Sequence, residues 1–162
     1  MMSISRTHMY STPHTSFMAE ALAEAHRAFA LDEVPIGCVI VKDGEIIARA
    51  ANERVTRGNV LYHAEITAIG QACEAIGDWR LEDCQLYVTI EPCPMCAGAI
   101  IQARIPVVVY GAKNPKAGCA GSILNILEEP RFNHQATVIP GILEEECAGL
   151  MRGFFQRFRQ KT

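Results

Sequence analysis

Two short segments of this chain carry residues whose types and spacing could do chemistry: His63-Ala64-Glu65 and Pro92-Cys93-Pro94-Met95-Cys96. A Cys-x-x-Cys pair alone is ambiguous. It can be a redox dithiol, half of a four-cysteine zinc site, or coincidence in a chain with 7 cysteines. The redox use belongs after the first strand of a βαβ unit, whereas here the pair follows the third apolar strand-like run and a His-x-Glu opens the preceding helix. A closed structural site needs a fourth ligand at suitable spacing, and no second Cys-x-x-Cys exists. A catalytic zinc takes three protein ligands and leaves one position for water. Cys93 and Cys96 stand one turn apart at a helix start, where partial positive charge favours thiolate. His63 can supply the third ligand. Glu65, two residues on, is near such a metal but off the ligand's line. There a carboxylate can take a proton from water whose pKa the metal lowers from about 15.7 towards about 7, and pass it to a substrate nitrogen. Singly, His63 reads as a capping or core histidine and Glu65 as a first-turn acid. The order of all four residues carries the chemical reading.

The elements that must position these residues follow from hydrophobic period. Phe17, Met18, Ala21, Leu22, Ala25, Ala28 and Phe29 recur at helical spacing, which predicts an amphipathic helix over 16–31. Residues 36–41 and 45–51 flank Asp43-Gly44, a hairpin signal between two antiparallel strands. Residues 55–59 read as a turn, 63–76 as a buried helix, 85–90 as a strand and 94–103 as a second buried helix. Pro94 suits a first helical turn, where an amide donor is not missed. Then come a strand at 107–110, a loop at 111–121, a short helix at 122–127, a strand at 135–139 and a long helix at 143–159. Strands joined by helices should run parallel. The pattern predicts an α/β fold of three layers, a five-stranded mixed sheet with helices on both faces. Helices after parallel strands begin at one sheet edge, so both motifs should lie on that edge.

The chain has 162 residues, a length for one domain, and its 15 Lys+Arg against 18 Asp+Glu give a net charge of −3. Residues 1–14 lack the apolar segment of a secretory leader and read as a loose polar extension. With an odd cysteine count, this points to a reduced cytoplasmic setting rather than a disulfide framework. No apolar run approaches the ~18 residues of a membrane span. Charge is uneven: no acid occurs between Pro92 and Leu127, and after Glu146 the tail carries only bases, Arg152, Arg157, Arg159 and Lys161. Such a face can meet phosphate. Phe154-Phe155-Gln156-Arg157-Phe158-Arg159 interleaves aromatics and arginines, which can stack splayed bases; at least two of the three phenylalanines are expected in the core.

The motifs resemble those of zinc-dependent nucleoside and nucleobase deaminases, whose signature is H-x-E followed by P-C-x-x-C. The resemblance extends to Val34-Pro35-Ile36-Gly37, Leu86-Tyr87-Val88-Thr89, Glu91 to Ala99, Gly118-Cys119-Ala120-Gly121-Ser122, Phe132-Asn133-His134 and Glu146-Cys147 with Phe154-Phe155. These are similar to the tRNA-specific adenosine deaminase branch, over about residues 16–160. The resemblance implies a cytidine-deaminase-like fold, with a flexible extension over 1–15 and one deaminase domain over 16–162. It implies conversion of adenosine to inosine at the wobble position of a tRNA anticodon stem-loop, one zinc per subunit on His63, Cys93 and Cys96, and Glu65 as proton shuttle. It also implies substrate or RNA contacts from Asn52, Ala64, Asn114, Lys116, Asn133, Phe155 and Arg159, a homodimer, and a cytoplasmic enzyme. Asn114 departs from the acidic residue frequent at that position. Two other readings share the motif: a guanine or other free-base or nucleoside deaminase, and a non-catalytic zinc module in which the metal only holds the fold.

Overall fold

The structure is a computed structural model describing residues 12–160. Most of the extension expected over 1–15 lies outside the described residues, as does Lys161. The elements are α1 (Thr12–Ala30), β1 (Gly37–Lys42), β2 (Glu45–Ala51), α2 (Ala64–Ile76), β3 (Cys84–Ile90), α3 (Pro94–Gln102), β4 (Val107–Ala112), β5 (Thr137–Ile139) and α4 (Glu144–Gln160). The sheet has five strands in the order β2-β1-β3-β4-β5. β1 is antiparallel to both its neighbours, while β3, β4 and β5 are parallel. β2 therefore runs the same way as β3 and β4, and their carboxyl ends share one edge. The expected mixed α/β fold is present.

The hairpin forms because Asp43 (φ 52°) and Gly44 (φ 76°) both take positive φ, as the two central residues of a type I′ turn require. Side chains alternate between two cores with the period-2 geometry of a strand. Cys38, Ile40, Leu86, Val88 and Val108 lie in the core with α2 and α3; Val39, Val41, Tyr87 and Val109 lie in the core with α1 and Cys147 of α4. Coverage on both faces explains why the central strands are nearly all apolar.

Three boundaries differ from the sequence reading. α1 starts at Thr12, one turn before residue 16. Residues 122–127 form no helix. Their amides are drawn elsewhere: Ser122 donates to Glu91, Ile123 to the Gly118 carbonyl and Ile126 to the Cys119 carbonyl. β5 begins at Thr137 rather than residue 135, because the Ala136 amide donates to Leu127 across a loop.

Gly37 fixes how closely α1 lies on the sheet. A Cβ there would stand 1.9 Å from the Ala21 carbonyl oxygen and 2.4 Å from the Ala25 nitrogen, both backbone atoms. Gly37→Ala must move a helix, so we expect a loss of about 3 kcal/mol, the upper part of the range for overpacking. Thermal unfolding should show a midpoint about 6–12 °C lower for a chain of this size.

Candidate active site and metal centre

The site begins with two helix N-termini on one sheet edge. His63 is the residue before α2, extended at φ −73° and ψ 150°, and Cys93 is the residue before α3, at φ −75° and ψ 175°. Neither caps its helix with its side chain, so both side chains are left to face one another. Cys96, one turn into α3, is buried beneath them. The His63 Nδ1 lies 3.5 Å from the Cys93 Sγ and 3.5 Å from the Cys96 Sγ. The three groups can together hold a metal ion. Metal–nitrogen bonds of about 2.0–2.1 Å and metal–sulfur bonds of about 2.3 Å at a tetrahedral angle put nitrogen and sulfur about 3.5 Å apart. The observed spacing fits.

The electrostatics favour ligand chemistry. The Cys96 S–H and then the His63 ring stabilise the Cys93 thiolate, holding its pKa down at about 4. The Cys96 thiol is pushed up because it donates to that thiolate and because it is buried. The hydrogen bond with Cys93 raises the His63 imidazole above its ordinary value. Burial pushes Glu65 up to about 7, against an opposing bond from its own backbone amide.

Beside the three ligands is a cavity of about 200 Å³, lined among others by Val34, Asn52, Arg54, His63, Ala64, Glu65, Glu91, Cys93 and Asn114. It is below the ~300–1,000 Å³ of pockets for drug-sized ligands, a size for one flat ring system. Ala64 brings the first turn of α2 to the cavity wall, where backbone amides lack helical partners. Asn52 is buried with its side chain already engaged, donating to the Val34 carbonyl at 3.2 Å and accepting from the Arg54 amide at 3.2 Å. Asn114 Oδ1 likewise accepts from the Ala117 amide at 3.2 Å and so shapes its own turn.

A second hollow, about 610 Å³, opens along α4 and brings Lys116 together with Met151, Arg152, Phe155, Phe158 and Arg159. Lys116 sits on the same loop as Asn114 and Ala117 of the cavity wall. Three of the residues assigned to RNA contacts thus share this groove, and Asn52, Ala64 and Asn114 share the cavity. Asn133 is exposed and lines neither. Two corrections concern α4. Only Phe154 is buried, while Phe155 and Phe158 are 44% and 48% exposed, because one helix face meets Phe29 and the other two rings point past it. Arg157 is outside the groove's lining and faces α1 instead.

The MafB19-like deaminase family matches residues 12–159. A tRNA-specific adenosine deaminase of Bacillus subtilis (strain 168) is 54% identical over 145 residues, covering 90% of each chain. The chain belongs to the tRNA-specific adenosine deaminase family. A solved structure from work on A-to-I editing by tRNA:A34 deaminases at the wobble position of transfer RNA is 47% identical to this deaminase. It superposes with a TM-score of 0.81, over 84% of this chain and 99% of that one. A guanine deaminase of Bacillus subtilis is more distant, 35% identical with a TM-score of 0.61, over 91% of this chain and 94% of that one.

Sequence reasoning missed what holds the loop over this deaminase's cavity. Glu91, the residue after β3, is buried, and its carboxylate accepts from the amides of Asn114 (3.1 Å), Ala120 (3.0 Å) and Ser122 (3.0 Å) and from the Ser122 hydroxyl. Burial alone would raise its pKa, but these bonds hold it below the usual carboxylate value. Gly118 permits the fit, since a Cβ there would stand 2.4 Å from the Glu91 carboxylate. The signal in the sequence is an acid standing between an apolar strand and Pro92. Glu91→Gln replaces one acceptor oxygen with an amide that opposes two donors. We expect about 2 kcal/mol or more of destabilisation, the cost of stranded buried donors. Urea unfolding should show a lower midpoint with an unchanged slope.

Proposed function

We propose that this protein deaminates adenosine to inosine at the wobble position of a tRNA anticodon, with zinc as its metal. The observation that carries this reading is the joining of a one-base cavity to a basic, aromatic groove by a single loop, from Asn114 in the cavity to Lys116 in the groove. A metabolic deaminase of free bases has no use for the second feature. An anticodon base splayed from its neighbours would enter the cavity while adjoining bases stack on Phe155 and Phe158 and phosphates meet Lys116, Arg152 and Arg159.

His63, Cys93 and Cys96 would hold the zinc, which when bound supplies Lewis-acid activation of water near neutral pH. Asn52 and the first turn of α2 at Ala64 hold the base against the cavity wall. Glu65 takes a proton from the attacking water and delivers it to N1 as the water oxygen bonds to C6. A second proton passes through Glu65 to the amino group, which leaves as ammonia. Water and adenosine are consumed, and inosine and ammonia are formed. The glutamate is enclosed, so its protons go to substrate rather than to bulk solvent.

The same reading takes the protein as a homodimer. Ile69 and Cys73 of α2, Trp79 just after it and Ala99 of α3 line a hollow of about 580 Å³, with open space beyond Gly70 and Gly98 for a second helix layer. Among the described residues no helix is long and apolar enough to cross a membrane, and a cytoplasmic setting, where tRNA is found, completes the proposal.

The test is mass spectrometry of an anticodon stem-loop carrying adenosine at the wobble position, beside a tube of free guanine, adenine, cytosine, adenosine and cytidine. Inosine in the RNA alone is expected; turnover of a free base alone overturns the reading. Glu65→Gln keeps the side chain's shape and loses its proton transfer. Its rate should fall about 10²–10⁴-fold with zinc content unchanged.

A further inference from the structure

We infer that Arg157 is a positioning residue that locks the C-terminal end of α4 to the end of α1 and so fixes the RNA groove relative to the base cavity; the inference rests on the tRNA-deaminase reading above. Arg157 turns away from the groove. Its guanidinium carbon stands 4.3 Å from the centre of the Phe29 ring, its Nη2 donates to the Phe29 carbonyl at 3.0 Å, and it pairs with the Asp32 carboxylate. The same Phe29 carbonyl accepts the Asp32 amide at 3.1 Å, so Arg157 grips the turn that ends α1, where Asp32 takes φ 59°.

That turn leads directly to the cavity. Glu33, buried, accepts from the amides of Val55 (3.1 Å) and Thr56 (2.7 Å), and the Val34 carbonyl accepts from Asn52. Three consecutive residues, 32–34, therefore connect the end of α4 to Asn52 in the cavity wall and to the turn that follows Arg54 of that wall. α4 is otherwise held unevenly. Its first half packs on the sheet through Cys147, whose Sγ would lie 2.5 Å from a Cβ on Gly111. Its second half, which carries Phe155, Phe158 and Arg159, meets α1 through Phe154 and Arg157 on Phe29.

The choice of residue supports placement over stability. The Arg157 Nε is buried with no hydrogen-bond partner, in a side chain that is 34% exposed. A methionine packed on Phe29 would avoid that unpaired donor. A planar fork, unlike an apolar contact, fixes direction as well as distance.

The experiment uses the full-length zinc-loaded protein and the wobble-adenosine stem-loop, with kcat, KM and zinc content measured for each variant. Arg157→Met should raise KM about tenfold, equivalent to ordering about one backbone residue on binding, while kcat stays within about twofold. Loss of uniform binding has this signature, and general loosening of the active site does not. Arg157→Lys keeps the ion pair without the fork and should recover part of the KM. Asp32→Asn, at an exposed partner, should shift KM the same way by less. A wild-type KM in Arg157→Met, or a fall in kcat at constant KM, overturns the inference. If Arg157→Met fails to fold or loses zinc, Asp32→Asn decides: an unchanged KM there overturns it. A wild-type protein that makes no inosine overturns the functional reading and this inference together, whereas a normal wild type with indifferent variants overturns the inference alone.

Discussion

The His63 imidazole and the Cys93 and Cys96 thiols meet because β2 and β3 run in the same direction and the loop after each leads, at that shared edge, into a helix whose preceding residue is His63 or Cys93. Antiparallel strands would place the two helix starts at opposite edges, roughly 20 Å apart for strands of this length. The antiparallel β1 lies between β2 and β3 in the sheet and makes the shared direction possible with only a two-residue hairpin turn. Each helix also brings the partial positive charge of its first turn to the same point. The anionic thiolates that would hold a metal, and a developing negative charge on substrate, are favoured there.

Around that edge buried carboxylates hold the loops alongside apolar side chains such as Cys119, Ala120 and Leu127. Glu33 holds the turn after β2, and Glu91 holds the loop after β4. Each accepts several backbone amides, which keeps those donors satisfied and gives the loop one conformation. The arrangement lets much of the cavity wall be built from segments with little regular structure. It also makes the conformation of these segments depend on a few buried charged groups. Arg157 extends the same logic to the far end of α4.

Much of this was legible in the residues themselves. Asp43-Gly44 between two apolar runs announced the hairpin, the apolar strands announced burial on both faces, and the spacing of His63, Cys93 and Cys96 announced a group able to hold a metal ion. What failed to show depended on partners distant in sequence. Residues 122–127 look helical by composition, yet their amides are committed to Glu91, Gly118 and Cys119. Phe154, Phe155 and Phe158 look alike in sequence, and only the position of Phe29 makes Phe154 the buried one. Arg157 looks like another base of an RNA-binding tail until Asp32, 125 residues earlier, is placed beside it.

His63, Cys93 and Cys96, grouped at two helix starts, are the residues able to hold a metal ion on which the proposed chemistry depends. X-ray absorption at the zinc edge of the purified full-length chain tests this most directly. It should give a first shell of one imidazole nitrogen at about 2.0–2.1 Å, two sulfurs at about 2.3 Å and one further light atom. A shell of four sulfurs, or one without sulfur, would contradict it.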